Sequence, residues 1–439
     1  MKTSLTDQNT ALVFDKLHSQ DAKFARDYPG DSSARQPVHV VYGGAQLFHA
    51  DSAPSLGKTA LETLHRYAEG PAAFAEAMGM PANTAAIVYE RVIAKLEREP
   101  VEDYRIDFED GYGNRPDAEE DAEAERTASE AARAMKTGLL PPFVGIRMKP
   151  LTPALRARSV RTLDLFLTTL LDRTDNKLPD GFVVTLPKIT APEEVSGLAD
   201  LFDFFESARG LTPGILRMEL MIETPQSIIN SRGEIALPAL FDAARGRCRG
   251  AHFGTYDYTA ACNVTASEQN MLHPACDYAR QAMLVSLAQR GVFLSDGATN
   301  IMPISRTGDS AAVHRAWRLH VEHIRHSLVN AFYQGWDLHP AQLPSRFAAV
   351  YSFFLEGLPS ATARLKNFIE RAAQATLVGD VFDDAATGQG LLNYFLRGSS
   401  CGALTQDEVL ATGLTLDELR TRSFLKILEA RREFKNSGG

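Results

Sequence analysis

Cysteine is scarce. The 439-residue chain has four, Cys248, Cys262, Cys276 and Cys401, and no two form a CxxC pair. This argues against a secreted scaffold held by disulfides and points to a reducing cytoplasm. Long apolar runs are also missing. None approaches the roughly 20 residues that cross a bilayer, so no membrane partner is expected. The first nine residues, Met1 to Asn9, are polar and lack the apolar segment of a secretory signal. Positive charge is in deficit, with 46 Lys and Arg against 55 Asp and Glu and a net charge of -9. A surface of that sign repels phosphate backbones, so nucleic acid is not an expected partner. A small anionic substrate remains compatible, because a few arginines and a metal can reverse the sign inside a pocket.

Nucleotide motifs fall short as well. Gly57-Lys58-Thr59 resembles the end of a P-loop, but the pattern needs glycine where Ser52 stands. Gly111-Tyr112-Gly113 follows a strand, yet Pro116 replaces the third glycine of a dinucleotide fingerprint. His314, His320, His323 and His326 are spaced around a helix axis rather than along one face, which predicts a solvated or partly packed surface. Cys262 and Cys276 have no adjacent base and read as packed thiols.

What is present is an ordinary globular composition, 44% apolar and 23% charged, which supplies a sizeable core. From Val38 onward short β-type runs alternate with helical stretches. The runs are Val38–Tyr42, Tyr104–Phe108, Phe143–Ile146, Gly181–Leu186, Arg217–Ile222, Arg249–Phe253, Gly291–Leu294 and Gly335–Leu338. After the first, they recur at roughly 35–45 residues, about one βα unit. Helices are expected over Pro116–Met135, Pro192–Ser207 and Pro274–Gln289, each opened by a proline whose missing N–H costs nothing in a first turn. Eight such units predict an α/β protein, a (β/α)8 TIM barrel with a C-terminal helical extension. A doubly wound open sheet is the alternative. The expected division is an N-terminal cap over 1–36, the barrel over 37–345 and the extension over 346–439.

Charged residues crowd the ends of the runs, where a barrel gathers its chemistry. Glu223 and Asp257 each follow an apolar strand, on consecutive strands. Two carboxylates so placed suit Mg²⁺, which takes one or two of them and completes its six oxygens with water and substrate. Read structurally, each is a helix N-cap or an ion-pair partner. In Asp107-Phe108-Glu109-Asp110-Gly111, strand alternation sets Asp107 and Glu109 on one face and Asp110 on the other. Three carboxylates so close are costly to bury without a cation, although a solvated turn is the plainer reading. Arg147 offers a rigid fork to a carboxylate or an enolate oxygen, and an ion pair with the second-strand acids is compatible with that. Lys188 places a cation in the mouth, and a Schiff-base role is the weaker reading of it.

This run of strand ends resembles the HpcH/HpaI aldolase and citrate lyase beta-subunit (CitE-like) superfamily. The resemblance spans Pro37 to Phe347. It is carried by Asp107-Phe108-Glu109-Asp110, Ile146-Arg147, Leu186-Pro187-Lys188, Ile222-Glu223-Thr224, Phe253-Gly254-Thr255-Tyr256-Asp257, Asp296-Gly297 and His339-Pro340-Ala341-Gln342, in the family's order. It implies Mg²⁺ (or Mn²⁺) held by Glu223 and Asp257, with Arg147 on the substrate oxygen. Glu109 and Asp110 would support a metal-bound water, and Gly254, Thr255, Tyr256 and Lys188 would line the substrate. It further implies carbon–carbon bond cleavage or formation next to a 2-oxo acid or an acyl-CoA, in a homo-oligomer, a trimer or hexamer. Candidates for the general base are that water, His49, and Asp380, Asp383 or Asp384 of the extension. The first strand departs from the family, ending in Val41-Tyr42-Gly43-Gly44-Ala45 rather than in a proline-glycine turn. Coenzyme A contacts have no residue-by-residue match. An aldolase acting on a free 2-oxo acid is therefore the leading expectation. An acyl-CoA lyase, Claisen condensation or thioesterase is second, and a non-catalytic ligand-binding barrel third.

Overall fold

The computed structural model describes residues 4–32, 34–370, 376–378, 381–383 and 385–436; in 376–378, 381–383, 385–386 and 432–436 only the backbone is described. Eight parallel strands close into a barrel in sequence order. They are β1 (His39–Gly44), β2 (Asp103–Asp107), β3 (Phe143–Arg147), β4 (Val183–Leu186), β5 (Arg217–Ile222), β6 (Cys248–Phe253), β7 (Phe293–Ala298) and β8 (Gln334–Asp337). Closure comes from β1 pairing with β8, with His39 opposite Gly335 and Val41 opposite Asp337. The barrel, not the open sheet, is the fold.

Helix α1 (Asp7–Asp27) precedes the barrel and buries none of its residues. Its Leu12, Val13, Phe14, Leu17 and Phe24 are each more than half exposed. Between β1 and β2 stand α2 (Ser52–Tyr67), α3 (Pro71–Met78) and α4 (Ala82–Arg98). Then come α5 (Asp117–Thr137), α6 (Arg156–Arg173) and α7 (Pro192–Arg209), one after each of β2, β3 and β4. The short α8 (Pro225–Ile228), α9 (Leu237–Ala243) and α10 (Thr255–Ala261) flank β6, and α11 (Pro274–Leu287) and α12 (Ser310–Val329) flank β7. The helix boundaries follow local chemistry. Helices α5 and α7 end on Gly138 and Gly210 in the left-handed conformation, which only glycine adopts cheaply. Helix α6 packs Leu163, Phe166, Leu167 and Leu170 inward, a spacing that puts all four on one side.

The histidines of α12 are partly packed, as expected. His320 and His323 are buried, His320 lying 3.1 Å from Asp337, while His326 meets Asp277 at 2.7 Å. The chain then continues into one long helix, α13 (Leu343–Glu370), with Pro359 inside it. It lies against α4 and α12 and so completes the helical ring. Beyond it are a two-stranded ribbon, β9 (Thr376–Val378) with β10 (Val381–Asp383), and helices α14 (Ala385–Ser400), α15 (Gln406–Leu410), α16 (Leu416–Thr421) and α17 (Phe424–Asn436). No helix of the described residues is long and apolar enough to cross a membrane.

The barrel interior is not all apolar. Arg105 of β2 lies fully buried with three side-chain partners. It bonds Thr185 Oγ1 at 3.0 Å, Glu219 Oε2 at 2.5 Å and both oxygens of Asp103. One guanidinium therefore balances two carboxylates that have no access to water. Replacing it with a leucine of lesser volume should leave Asp103 unpaired and Glu219 with only His252, a loss of about 3–5 kcal/mol. Arg105→Leu is accordingly expected to lower the urea midpoint sharply. A midpoint equal to that of the wild type would show that Asp103 and Glu219 are accommodated without the guanidinium.

Candidate active site

The strand register sets the first contact of the site. Asp107 and Arg147 end β2 and β3 and are direct neighbours in the ladder. Arg147 donates from Nε to Asp107 Oδ1 at 2.7 Å and from Nη2 to Oδ2 at 2.5 Å, a two-point pair that is about 1% exposed. The same carboxylate accepts the backbone N–H groups of Glu109 at 2.9 Å and Gly111 at 2.8 Å. It thereby shapes the turn that follows. A Cβ on Gly111 would stand 2.5 Å from Asp107 Oδ2, so glycine is needed there for the close approach. Lys149 braces this turn from below, donating to the carbonyls of Phe108 and Gly113.

The alternation expected for Asp107, Glu109 and Asp110 stops at Asp107, where β2 ends. The turn brings Glu109 and Asp110 to the same cation. Lys188 Nζ lies 2.5 Å from Glu109 Oε1, 3.2 Å from Asp110 and 3.4 Å from Asp257. Its backbone N–H reaches Glu223 Oε1 at 2.7 Å. Lys188 has φ of 52°, a left-handed conformation that is uncommon outside glycine. That conformation lets one residue address Glu223 with its backbone and the other three acids with its ammonium. Arg147 completes the group, with Nη1 3.2 Å from Glu109 Oε2 and 3.7 Å from Asp110.

Six predicted residues thus meet at the C-terminal mouth of the barrel: Glu109, Asp110, Arg147, Lys188, Glu223 and Asp257. Gly254 serves Glu223 by lacking a side chain, since a Cβ there would stand 2.5 Å from Glu223 Oε2. Thr255 and Tyr256, expected to line the substrate, have their side chains otherwise engaged. Thr255 is buried against Met271 Sδ at 3.1 Å, and Tyr256 gives its hydroxyl proton to the Ala298 carbonyl while accepting from Asn300 N. Asp296 is likewise engaged, with Arg280 at 3.2 Å and Ser327 at 2.6 Å. Among the base candidates, His49 is exposed and its imidazole makes no hydrogen bond or ion pair with a described residue. Asp380 and Asp384 lie outside the described residues, and Asp383 is described only in its backbone, in β10.

Sequence reasoning missed the aromatic wall behind Arg147. Its guanidinium lies 5.0 Å from the Tyr42 ring and 5.3 Å from that of Trp336, and the two rings are 4.3 Å apart. Tyr42 Oη meets His252 Nδ1 at 2.9 Å, and His252 Nε2 lies 3.3 Å from Glu219. The mouth is therefore joined to the Arg105 network beneath it. The available signal was aromatic residues inside β1 and β8, the two strands that close the barrel.

Burial governs the proton affinities. It pushes the Glu223 carboxyl up to about 8 against the opposing charges of Lys188 and Arg147, with Asp257 adding to the rise. It pushes Glu109 up to about 7, again against Arg147. Asp110 resists burial and is held below the usual range by its hydrogen bond with Glu109 and by Arg147 and Lys188. Lys188, although partly desolvated, is held protonated by Glu223, Glu109 and Asp110. An amine so held is a poor Schiff-base nucleophile.

Among the described residues, no three His, Cys, Asp or Glu side chains gather closely enough to hold a metal by themselves. Mg²⁺ asks for less, one or two carboxylates with the remaining oxygens supplied from outside the protein. Glu223 and Asp257 meet that requirement in kind. The buried Glu223 carboxyl, protonated near neutrality in the bare protein, is a group that a divalent cation would relieve.

The fold and this mouth define a (β/α)8 barrel whose charged residues converge at the strand ends, and the barrel fold is shared with a citrate lyase from Burkholderia xenovorans. That structure shares 16% identity, is covered over 97% of its length by 87% of this chain, and gives a TM-score of 0.57. The chain belongs to the family described as a domain of unknown function, DUF6986, which it matches over residues 17–427. Two further structures are more distant. One is CitE from Mycobacterium tuberculosis in complex with magnesium, acetoacetate and coenzyme A (15% identity, 84% of this chain and 99% of that one, TM-score 0.47). The other is a malate synthase from Haloferax volcanii in a magnesium and glyoxylate complex (14%, 89% and 96%, TM-score 0.46). No curated protein matches the sequence. At these identities the likeness is one of fold, and the fold is the one that the citrate lyase resemblance implied.

A carboxyl with a folded pKa above its unfolded value binds more protons when folded, so stability falls as pH rises between the two values. For Glu223 that window runs from 4.5 to about 8. In metal-free buffer the melting temperature of the wild type should therefore fall relative to Glu223→Gln as pH rises from about 5 to 8. Added Mg²⁺ should narrow the gap. A difference constant across that range would mean that the carboxylate is already neutralised by Lys188 and Arg147.

Proposed function

We propose that this protein is a Mg²⁺-dependent carbon–carbon lyase of the aldolase type that acts on an aldol derived from a 2-oxo acid. The observation that carries the reading is the convergence of Glu223, Asp257, Glu109, Asp110, Arg147 and Lys188 at one barrel mouth. Glu223 and Asp257 would hold the ion, and Mn²⁺ would serve with the same ligands. When bound, Mg²⁺ supplies positive charge that draws electron density from the oxo and carboxylate oxygens of the acid.

The residues of the chain account for the remaining steps. In cleavage, the substrate hydroxyl loses its proton, the bond between the carbinol carbon and its neighbour breaks, and the electron pair passes into an enolate. Arg147 would face the developing negative charge with Nη1, which has Glu109 within ion-pair distance but makes no hydrogen bond in the protein. Asp107 and the rings of Tyr42 and Trp336 hold that guanidinium still, so little reorganisation accompanies the charge shift. Glu109, pushed up to about 7, is suited to take the hydroxyl proton near neutrality and return it to carbon. Lys188 pairs with Asp110 and Asp257 and stands where positive charge is needed.

An acyl-CoA substrate is the second reading. It draws on the fold shared with the Burkholderia xenovorans citrate lyase, and it would use the same residues on a thioester enolate. Assembly as a trimer or hexamer belongs to either reading, and the exposed apolar face of α1 is a surface suited to it.

Calorimetric titration of metal-stripped protein separates the readings. Pyruvate or oxaloacetate is expected to bind only after Mg²⁺, and coenzyme A not to bind. Coenzyme A binding without the oxo acid would transfer the proposal to the acyl-CoA reading. With an active substrate in hand, Glu223→Gln should abolish metal-dependent turnover in a folded protein, and undiminished turnover would sink the metal assignment. Arg147→Lys, which loses the fork, should lower kcat by about 10²–10³-fold. Near-normal kinetics would make Arg147 a purely structural residue.

A further inference from the structure

The face of the barrel opposite the mouth carries a second concentration of charge. A cavity of about 910 Å³ lies there, bounded by the starts of β5, β6 and β7 and by the segment after α1. Five arginines line it, Arg26, Arg217, Arg245, Arg249 and Arg290, against two aspartates. In a chain of net charge -9 this is a local reversal of sign. Three of the arginines are already paired: Arg26 with Asp27, Arg290 with Asp242, and Arg245 with Asp200 and Asp203.

The other two have no carboxylate partner among the described residues. Arg217 is exposed and gives one N–H to the Gly246 carbonyl at 2.8 Å. Arg249 is half-buried, its guanidinium 4.6 Å from the Phe143 ring and 5.7 Å from that of Phe293. Burial lowers its proton affinity; the charges of Glu219 and Asp103 inside the barrel oppose this from beyond ion-pair distance, and those of Arg105 and Arg217 add to it. A cation held in this way gains from any anion that can reach it. The volume decides what kind of anion. A bare phosphate would leave most of the cavity empty, whereas the size falls within the roughly 300–1,000 Å³ of small-molecule sites. Pro29, Phe241 and Val292 give it an apolar wall as well.

We propose that this cavity binds a phosphorylated small molecule, with Arg217 and Arg249 holding the phosphate oxygens and the apolar wall receiving its organic body. The guanidinium fork matches phosphate geometry, and two forks without acids to occupy them form a site for it. The site lies at the opposite strand ends from Glu223 and Arg147, so its ligand does not compete for the mouth, and the proposal stands independently of the reaction assigned there.

The test is calorimetric titration of the full chain with ATP as the probe and adenosine as the control. EDTA is kept present so that no metal draws ATP to the mouth. ATP is expected to bind saturably at one site per chain and to weaken as salt is raised. Adenosine is expected not to bind. Arg217→Ala should weaken ATP about tenfold or more, and Arg147→Lys should leave it unchanged. Arg249→Gln tests the inner arginine, but it disturbs a side chain packed under the barrel. Arg217, being exposed, gives a reading that a folding defect does not confuse. Failure of ATP to saturate below about 1 mM overturns the proposal. So does equal binding of adenosine, equal affinity in Arg217→Ala, or loss of binding in Arg147→Lys.

Discussion

The buried pair of Asp107 and Arg147 joins the fold to the chemistry. It exists because β2 and β3 are adjacent and in register, so the last side chain of each strand faces the other. The carboxylate also gathers two backbone N–H groups of the following turn, which brings Glu109 and Asp110 inward. The guanidinium has its remaining Nη1 directed at Glu109 and the rings of Tyr42 and Trp336 together against one side of it. Without Asp107, Arg147 would be a desolvated cation among partly protonated acids, and the turn would lose its anchor. The order of the mouth thus rests on one ion pair, and that pair rests on strand register.

Charge balance governs the remainder of the barrel. From top to bottom, the interior alternates acids with arginines. Lys188 and Arg147 serve the acids of the mouth, and Arg105 serves Asp103 and Glu219 below them. Tyr42 and His252 connect the two levels by hydrogen bonds. Arg249 lies beneath, where its nearest aromatic neighbours offer quadrupoles rather than full charges. The two ends of the barrel therefore differ in kind. The mouth has more carboxylates than its cations neutralise, which suits a metal. The base has more guanidinium than its acids neutralise, which suits an anion.

Much of this was legible in the sequence. All eight strands lie where short apolar runs end in polar residues, because a parallel strand buried on both faces has little room for charge until it reaches the mouth. That rule placed Glu223, Asp257, Arg147 and Lys188 at the strand ends, and the family resemblance supplied the roles expected of them. The β7 run was placed too early: the strand continues through Asp296 and Gly297 to Ala298, because Arg280 and Ser327 allow an aspartate inside it. The interior acids and arginines of β2 and β5 were not legible as a network, since Asp103, Arg105 and Glu219 read locally as ordinary strand polarity. Thr255 and Tyr256 carried a motif, yet their side chains are taken up by Met271 and Ala298, partners that lie on other elements.

The sequence by itself determined the number and order of the βα units, the helix boundaries set by proline and glycine, and the identity of the charged residues at the strand ends. These follow from local periodicity and backbone chemistry, which neighbouring residues express without reference to the rest of the chain. Tertiary structure alone decided that Lys188 would meet four acids, that Tyr42 and Trp336 would flank Arg147, and that Arg217 and Arg249 would face one cavity. Those pairings join residues from 32 to 294 positions apart. Pairing of adjacent strands brings the nearer of them together, and closure of the barrel, through the register of β1 against β8, brings Tyr42 and Trp336 to one guanidinium.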